Sequence, residues 1–193
     1  QAIQSLIIPG FNERNMFDAV SEAIDRLSRI EGRKYIILIG SGRDTFSKIT
    51  WDQLQKKVKN SQDVTIYTIS TGGALRAMTE GGPGMDNAMR DIDYLQADNE
   101  MRTIAKMPGG ASYFPRFVGE LPDDFGDINK TIRSKYELIY HPTNPKQDGT
   151  YRKLRVMLVD DEGKPLRFQD QKHHPLKYDV IARDGYRARP EVE

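Results

Sequence analysis

The chain has 193 residues, 37% hydrophobic and 30% charged, with a mean hydropathy of −0.66, which suits one domain with a modest core. Lys and Arg total 29 against 28 Asp and Glu, and a net charge of +1 offers no electrostatic reason to bind nucleic acid or an anionic membrane. With no Cys, disulfides, thiol nucleophiles and thiolate-bound zinc are excluded, and no stretch approaches the roughly 20 apolar residues of a membrane span.

The opening Gln1-Ala-Ile-Gln-Ser-Leu-Ile-Ile8 has no initiator Met, basic leader or cleavage-like site, so a processed or partial chain is expected. Pro9 and Gly10 break this segment. Asn15 is placed to cap a helix, and Phe17, Val20, Ile24, Leu27 and Ile30 form one apolar stripe ending near Gly32. Residues 35–39 are an unbroken apolar run, as in a strand buried on both faces of a parallel sheet. The run stops at Gly40-Ser41-Gly42, and polar side chains follow at once. Ligands of open α/β sheets bind just beyond such carboxyl ends, so any chemical site is expected here first.

Thr50-Trp-Asp-Gln53 has the pattern of a capping box, opening a helix that ends by about Gln62. Residues 64–69 read as a second strand, and the α-β-α-β order predicts a parallel sheet with crossover helices. Residues 70–84, with five Gly and one Pro, read as a loop or lid with one helical turn at 75–78. A long helix is predicted over about 86–106. Its apolar residues fall in two phases: Met85, Met89 and Ile92, then Tyr94, Ala97, Met101 and Ile104. Pro108-Gly-Gly110 stops it, a short strand follows at 111–114, and Leu121, Phe125, Ile128 and Ile132 mark another amphipathic helix. Beyond Ser134 the chain turns β-rich. Residues 136–141 and 151–159 are expected to form an antiparallel hairpin, with Tyr136 and Tyr140 packing on one face. A turn is predicted at Asp160-Asp-Glu-Gly163 and a last strand at 178–182. Residues 1–134 thus read as the α/β part and 135–193 as a β-rich extension packed on it.

Several stretches together carry a family resemblance. Gly32-Arg-Lys-Tyr-Ile-Ile-Leu-Ile39, Ser41-Gly-Arg-Asp-Thr-Phe-Ser47 and Val64-Thr-Ile-Tyr-Thr-Ile69 resemble the second half of a von Willebrand factor type A domain. Leu95-Gln-Ala-Asp-Asn-Glu-Met-Arg102, Pro108-Gly-Gly110, Tyr136-Glu-Leu-Ile-Tyr140 and Asp148-Gly-Thr-Tyr-Arg-Lys153 are similar to the type A-related proteins of acidobacteria. The resemblance implies a Rossmann-like, mostly parallel sheet with flanking helices, here truncated and extended by C-terminal antiparallel strands. It also implies a protein-binding or adhesive role without catalysis, and an extracytoplasmic location.

The family holds Mg²⁺ or Mn²⁺ with an Asp-x-Ser-x-Ser loop, a Thr and an Asp. This chain has no such loop, and it carries Asn15 at the Thr position and Ser41 at the Asp position. Neutral oxygens repay little of an ion's dehydration, so no metal cofactor is expected; Asn15, Ser41 and Asp44 are the nearest to ligands. The expected contact face is Asn15, Ser41, Gly42, Arg43, Asp44, Thr45 and Ser47, with the 70–84 loop. The family's first strands have no counterpart here. The outer edge of the 35–39 strand is therefore expected to be paired, by the first residues, a C-terminal strand or another subunit in a homo-oligomer.

A rival reading is a phosphate or nucleotide enzyme. Gly42-Arg-Asp-Thr-Phe-Ser-Lys-Ile49 is one residue from a P-loop, with Ser47 where the second Gly belongs. Hydrolase chemistry has less support. His141 reads as a strand residue, His173 and His174 fall in a polar loop, and no Gly-x-Ser-x-Gly or His-Glu-x-x-His occurs.

Overall fold

A computed structural model describes residues 14–61, 63–73 and 85–188, without the side chains of 85–91. The elements are α1 (Met16–Ser28), β1 (Lys34–Gly40), α2 (Trp51–Asn60), β2 (Val64–Ser70), α3 (Met85–Lys106), β3 (Ser112–Tyr113) and α4 (Leu121–Arg133). Short strands β4 (Tyr151–Lys153), β5 (Phe168–Gln169), β6 (Pro175–Leu176) and β7 (Gly185–Arg187) follow. The α2 capping box forms as its sequence predicts: Thr50 Oγ1 accepts from Gln53 N, and Gln53 Oε1 accepts from Thr50 N. The expected helical turn at 75–78 and the Met85 and Met89 side chains lie outside what is described.

The sheet is parallel, in the order β1-β2-β3, with Ile36 beside Ile66 and Thr68 beside Ser112. One face carries Phe17, Val20 and Ile24 of α1, Leu54 and Val58 of α2, and Ile104 of α3, closing on Val64 and Ile66. The other face packs Tyr67 and Ile69 against Ile128 of α4, with Tyr35, Tyr113 and Leu121 at the margin. The protein is thus a mixed α/β structure with a helix-flanked parallel sheet and small antiparallel pairs. Among the described residues no helix is long and apolar enough to cross a membrane.

The 35–39 run differs from its expectation as a strand buried on both faces. It forms β1, but at the sheet's edge, with Ile37 41% and Ile39 51% exposed. The second-face core built on α4 gathers around β2 and β3 and reaches β1 only at Tyr35. Among the described residues nothing pairs with the outer edge of β1, so the expected pairing is not found there.

The expected hairpin is also corrected. Residues 136–141 form no strand, with Tyr136 94% and Ile139 90% exposed, because strand-forming side chains without a facing partner gain nothing from extension. β4 pairs instead with β7, Arg152 opposite Tyr186, and the Arg152 guanidinium donates to Asn144 O and Lys146 O. Residues 178–182 form no strand either; the pairing lies further on, at β7. The turn at 160–163 is present, with Gly163 at φ +78. The extension is tied to the chain at the ends of α2 and α3. Arg183 Nη2 donates to Ser61 O (2.7 Å), and Asp184 N donates to Met107 O (3.2 Å).

Tyr67 is fully buried, and its hydroxyl has no hydrogen-bond partner. Burial, then the Tyr35 and Asp127 charges, push its pKa from 10.0 up to about 12. A folded-state pKa above the unfolded value favours folding below about pH 10, and this contribution is lost as pH rises toward about 12. Tyr67→Phe is expected to match or exceed wild-type stability near neutral pH and to flatten the alkaline loss. Urea denaturation over an alkaline pH series checks this; a variant clearly weaker near neutrality would place a hydrogen-bond partner on that hydroxyl.

Candidate functional site

The loop after β1 folds back over the start of α1. Asn15 sits at the N-cap position, but its side chain makes no capping bond. Capping comes from the loop instead. Asp44 Oδ1 accepts from Phe17 N (2.9 Å), and Ser47 Oγ accepts from Asp18 N (3.1 Å). Asp18 returns the service to the chain entering α2, accepting from Lys48 N (2.9 Å) and Ile49 N (3.2 Å). Asp44 also holds Ser47, through Ser47 Oγ (2.6 Å) and Ser47 N (3.3 Å).

Arg14 fastens the near side. Its amide donates to Thr45 Oγ1 (3.1 Å), its carbonyl accepts from Thr45 N (2.8 Å) and Phe46 N (3.3 Å), and its guanidinium donates to Ser41 Oγ (3.0 Å). Gly42 is buried at φ +75; a Cβ there would lie 2.7 Å from Met101 Sδ and 3.0 Å from Ala97 O, so only glycine lets the loop close on α3. Arg43 reaches α3 as well, pairing with Asp93 (3.2 Å) and lying 5.5 Å from the centre of the Tyr94 ring. All seven predicted residues therefore lie along one loop and helix start. Asn15, Thr45 and Phe46 are exposed.

Under the carboxyl end of β2, Ser70 Oγ donates to the buried Asp98 Oδ1 (2.7 Å) and accepts from Gly72 N (3.3 Å). Residues 74–84 of the predicted loop face fall outside the described residues. Beside the site, α2 and α3 enclose a shallow groove of about 540 Å³ lined by Trp51, Ile92, Leu95, Gln96 and Glu100. Burial, opposed by a hydrogen bond from Gln96 and reinforced by the Asp44 charge, holds Glu100 above the usual carboxylate range.

The donor set does not fit a divalent ion. Asp44 spends both oxygens on N–H and O–H donors, and the Arg14 guanidinium, a fixed positive charge, occupies Ser41. The amides from Thr45 to Ile49 all donate to oxygens of the protein, so these five are not turned toward a phosphate. The sequence reading passed over Phe46. It is 59% exposed, and a large aromatic alone among polar loop residues was the signal for it. The chain matches no protein-family model, no curated protein and no solved structure.

Proposed function

We propose that the protein is a non-catalytic binding module for another protein, built as a Rossmann-like type A domain and working outside the cytoplasm. The family and compartment rest on the resemblance of the motifs. The binding reading rests on one observation: Phe46 stands exposed on a loop whose backbone is hydrogen-bonded on both sides of it, Thr45 N to Arg14 O ahead of α1, Ser47 N to Asp44 and Lys48 N to Asp18 of α1. A fixed loop loses little freedom on association, and an exposed aromatic is the kind of residue that dominates interface energy. Arg43 lies three residues away, and Ile92 and Leu95 flank its partners Asp93 and Tyr94, adding apolar surface at the same end. Asp44 and Ser47 then act as the scaffold of this face and not as its ligands.

Phe46→Ala is expected to weaken partner binding at least tenfold, about 1.4 kcal/mol, with Tm unchanged within about 2 °C. The check is capture from an extract of the source organism, identification of the retained protein, and titration of it against wild type and variant. Equal affinity for the variant, or stabilisation of the wild type by magnesium and ATP, would remove this reading.

A further inference from the structure

We propose that β1 pairs with β1 of a second copy of this chain, antiparallel and centred on Ile37, joining two three-stranded sheets into one. The backbone says which groups are free. Lys34 N donates to Asp63 O (2.7 Å) and Gly40 O accepts from Thr71 N (2.8 Å), so the even-numbered residues direct their polar groups toward β2. Groups alternate along a strand, so Tyr35, Ile37 and Ile39 direct theirs outward, where no described strand lies. The strand has seven residues and no Pro or bulge, and its one charge, Lys34, is at the end. Among the described residues, the usual devices that keep sheet edges apart are missing.

The strand is also its own complement. A two-fold axis at Ile37 sets Ile37 against Ile37, Tyr35 against Ile39, and Ile36 against Leu38, so the inner cross-strand pairs are all apolar. Lys34 meets Gly40 and no charge meets its like, which a partner strand of arbitrary sequence would not ensure. The axis falls on an outward-directed residue, which is the register that lets Tyr35, Ile37 and Ile39 exchange N–H and C=O in about six inter-chain bonds. On the open face, the exposed Ile37 and Ile39 of one copy meet those of the other and leave water together. The Arg33–Glu137 ion pair anchors the segment bearing exposed Leu138 and Ile139 beside the start of β1, enlarging the apolar surface at each end of the joint.

This surface is distinct from the Phe46 loop, and the two readings fail separately. Sedimentation of the full chain over micromolar to sub-millimolar concentrations is expected to show twice the 22.0 kDa chain mass. Ile37→Lys sets two like charges on the axis and is expected to weaken self-association at least tenfold, whereas Phe46→Ala leaves it unchanged. The chain has no cysteine of its own, so Ile37→Cys gives a second readout. Opposed residues of a hydrogen-bonded pair lie about 5.5 Å apart between Cα atoms, within disulfide reach. Mild oxidation is expected to yield a covalent dimer from Ile37→Cys and none from Lys34→Cys, which decides the matter should Ile37→Lys fail to fold. A wild type that stays monomeric, or that forms only larger aggregates, overturns the proposal. So do equal cross-linking of both cysteine variants and a dimer indifferent to Ile37→Lys. A monomer whose Tyr35, Ile37 and Ile39 amides resist hydrogen exchange also overturns it, and assigns the edge to another segment of the same chain.

Discussion

Gly110→Ala is expected to abolish the α/β core. Gly110 lies where the chain leaves α3 for β3, and there it presses on the middle of β2. A Cβ at this position would stand 1.8 Å from Ile66 O, 2.7 Å from Ile66 C and 3.2 Å from Ala105 O. All three are backbone atoms, so no side-chain rotation relieves the clash. Ile66 and Ala105 are fully buried, and the next residue's carbonyl accepts from Thr68 N (3.1 Å), so a shift of Gly110 breaks the β2–β3 contact as well. A clash of this size exceeds about 4 kcal/mol, a large part of the 5–15 kcal/mol that holds a typical domain together. Gly126→Ala is the control: a Cβ there meets nothing within 4 Å, and a helical alanine adds up to about 1 kcal/mol. Far-UV circular dichroism and urea melts of both variants read the contrast. A Gly110→Ala protein melting within about 3 °C of wild type would refute the close approach.

Sequence alone reached the parts of this fold whose signals are local. The Phe17, Val20 and Ile24 stripe of α1, the Thr50–Gln53 box, both long strands and the turn at Gly163 each follow from residues a few positions apart and lie where their patterns place them. By contrast, α1 ends at Ser28 and leaves Ile30, predicted as its last stripe residue, outside the helix and exposed. What eluded it depends on distant partners. An unbroken apolar run shows that a strand is greasy and not how many helices cover it, and β1 lacks cover over Ile37 and Ile39. Alternation at 136–140 gives strand propensity, yet β4 found its partner in β7, thirty-odd residues further on. In the candidate site, the polar loop was legible as a place. Its chemistry was not, because Asn15 has the residue type of a cap while the capping is done by Asp44 and Ser47.

That exchange of caps carries the second large effect. Asp44→Ala is expected to cost about 3 kcal/mol. It removes the acceptor for Phe17 N at the first turn of α1, both acceptors for Ser47, and a negative charge from the positive end of the helix. Phe17 and Val20 are core residues of that helix, so fraying its first turn loosens their packing on α2. Asp44→Asn keeps one acceptor and is expected to lose about 1 kcal/mol. Asp18→Ala loosens the other half of the same lock, at Lys48 and Ile49, so the double variant should fall short of the sum of the singles. Urea midpoints at unchanged slope measure all four variants against wild type. Magnesium separates scaffold from ligand. If Asp44 spends its lone pairs on the loop, millimolar Mg²⁺ shifts wild type and Asp44→Asn alike. If the ion stabilises wild type alone, Asp44 is a metal ligand, and the account of a loop held by its own hydrogen bonds fails.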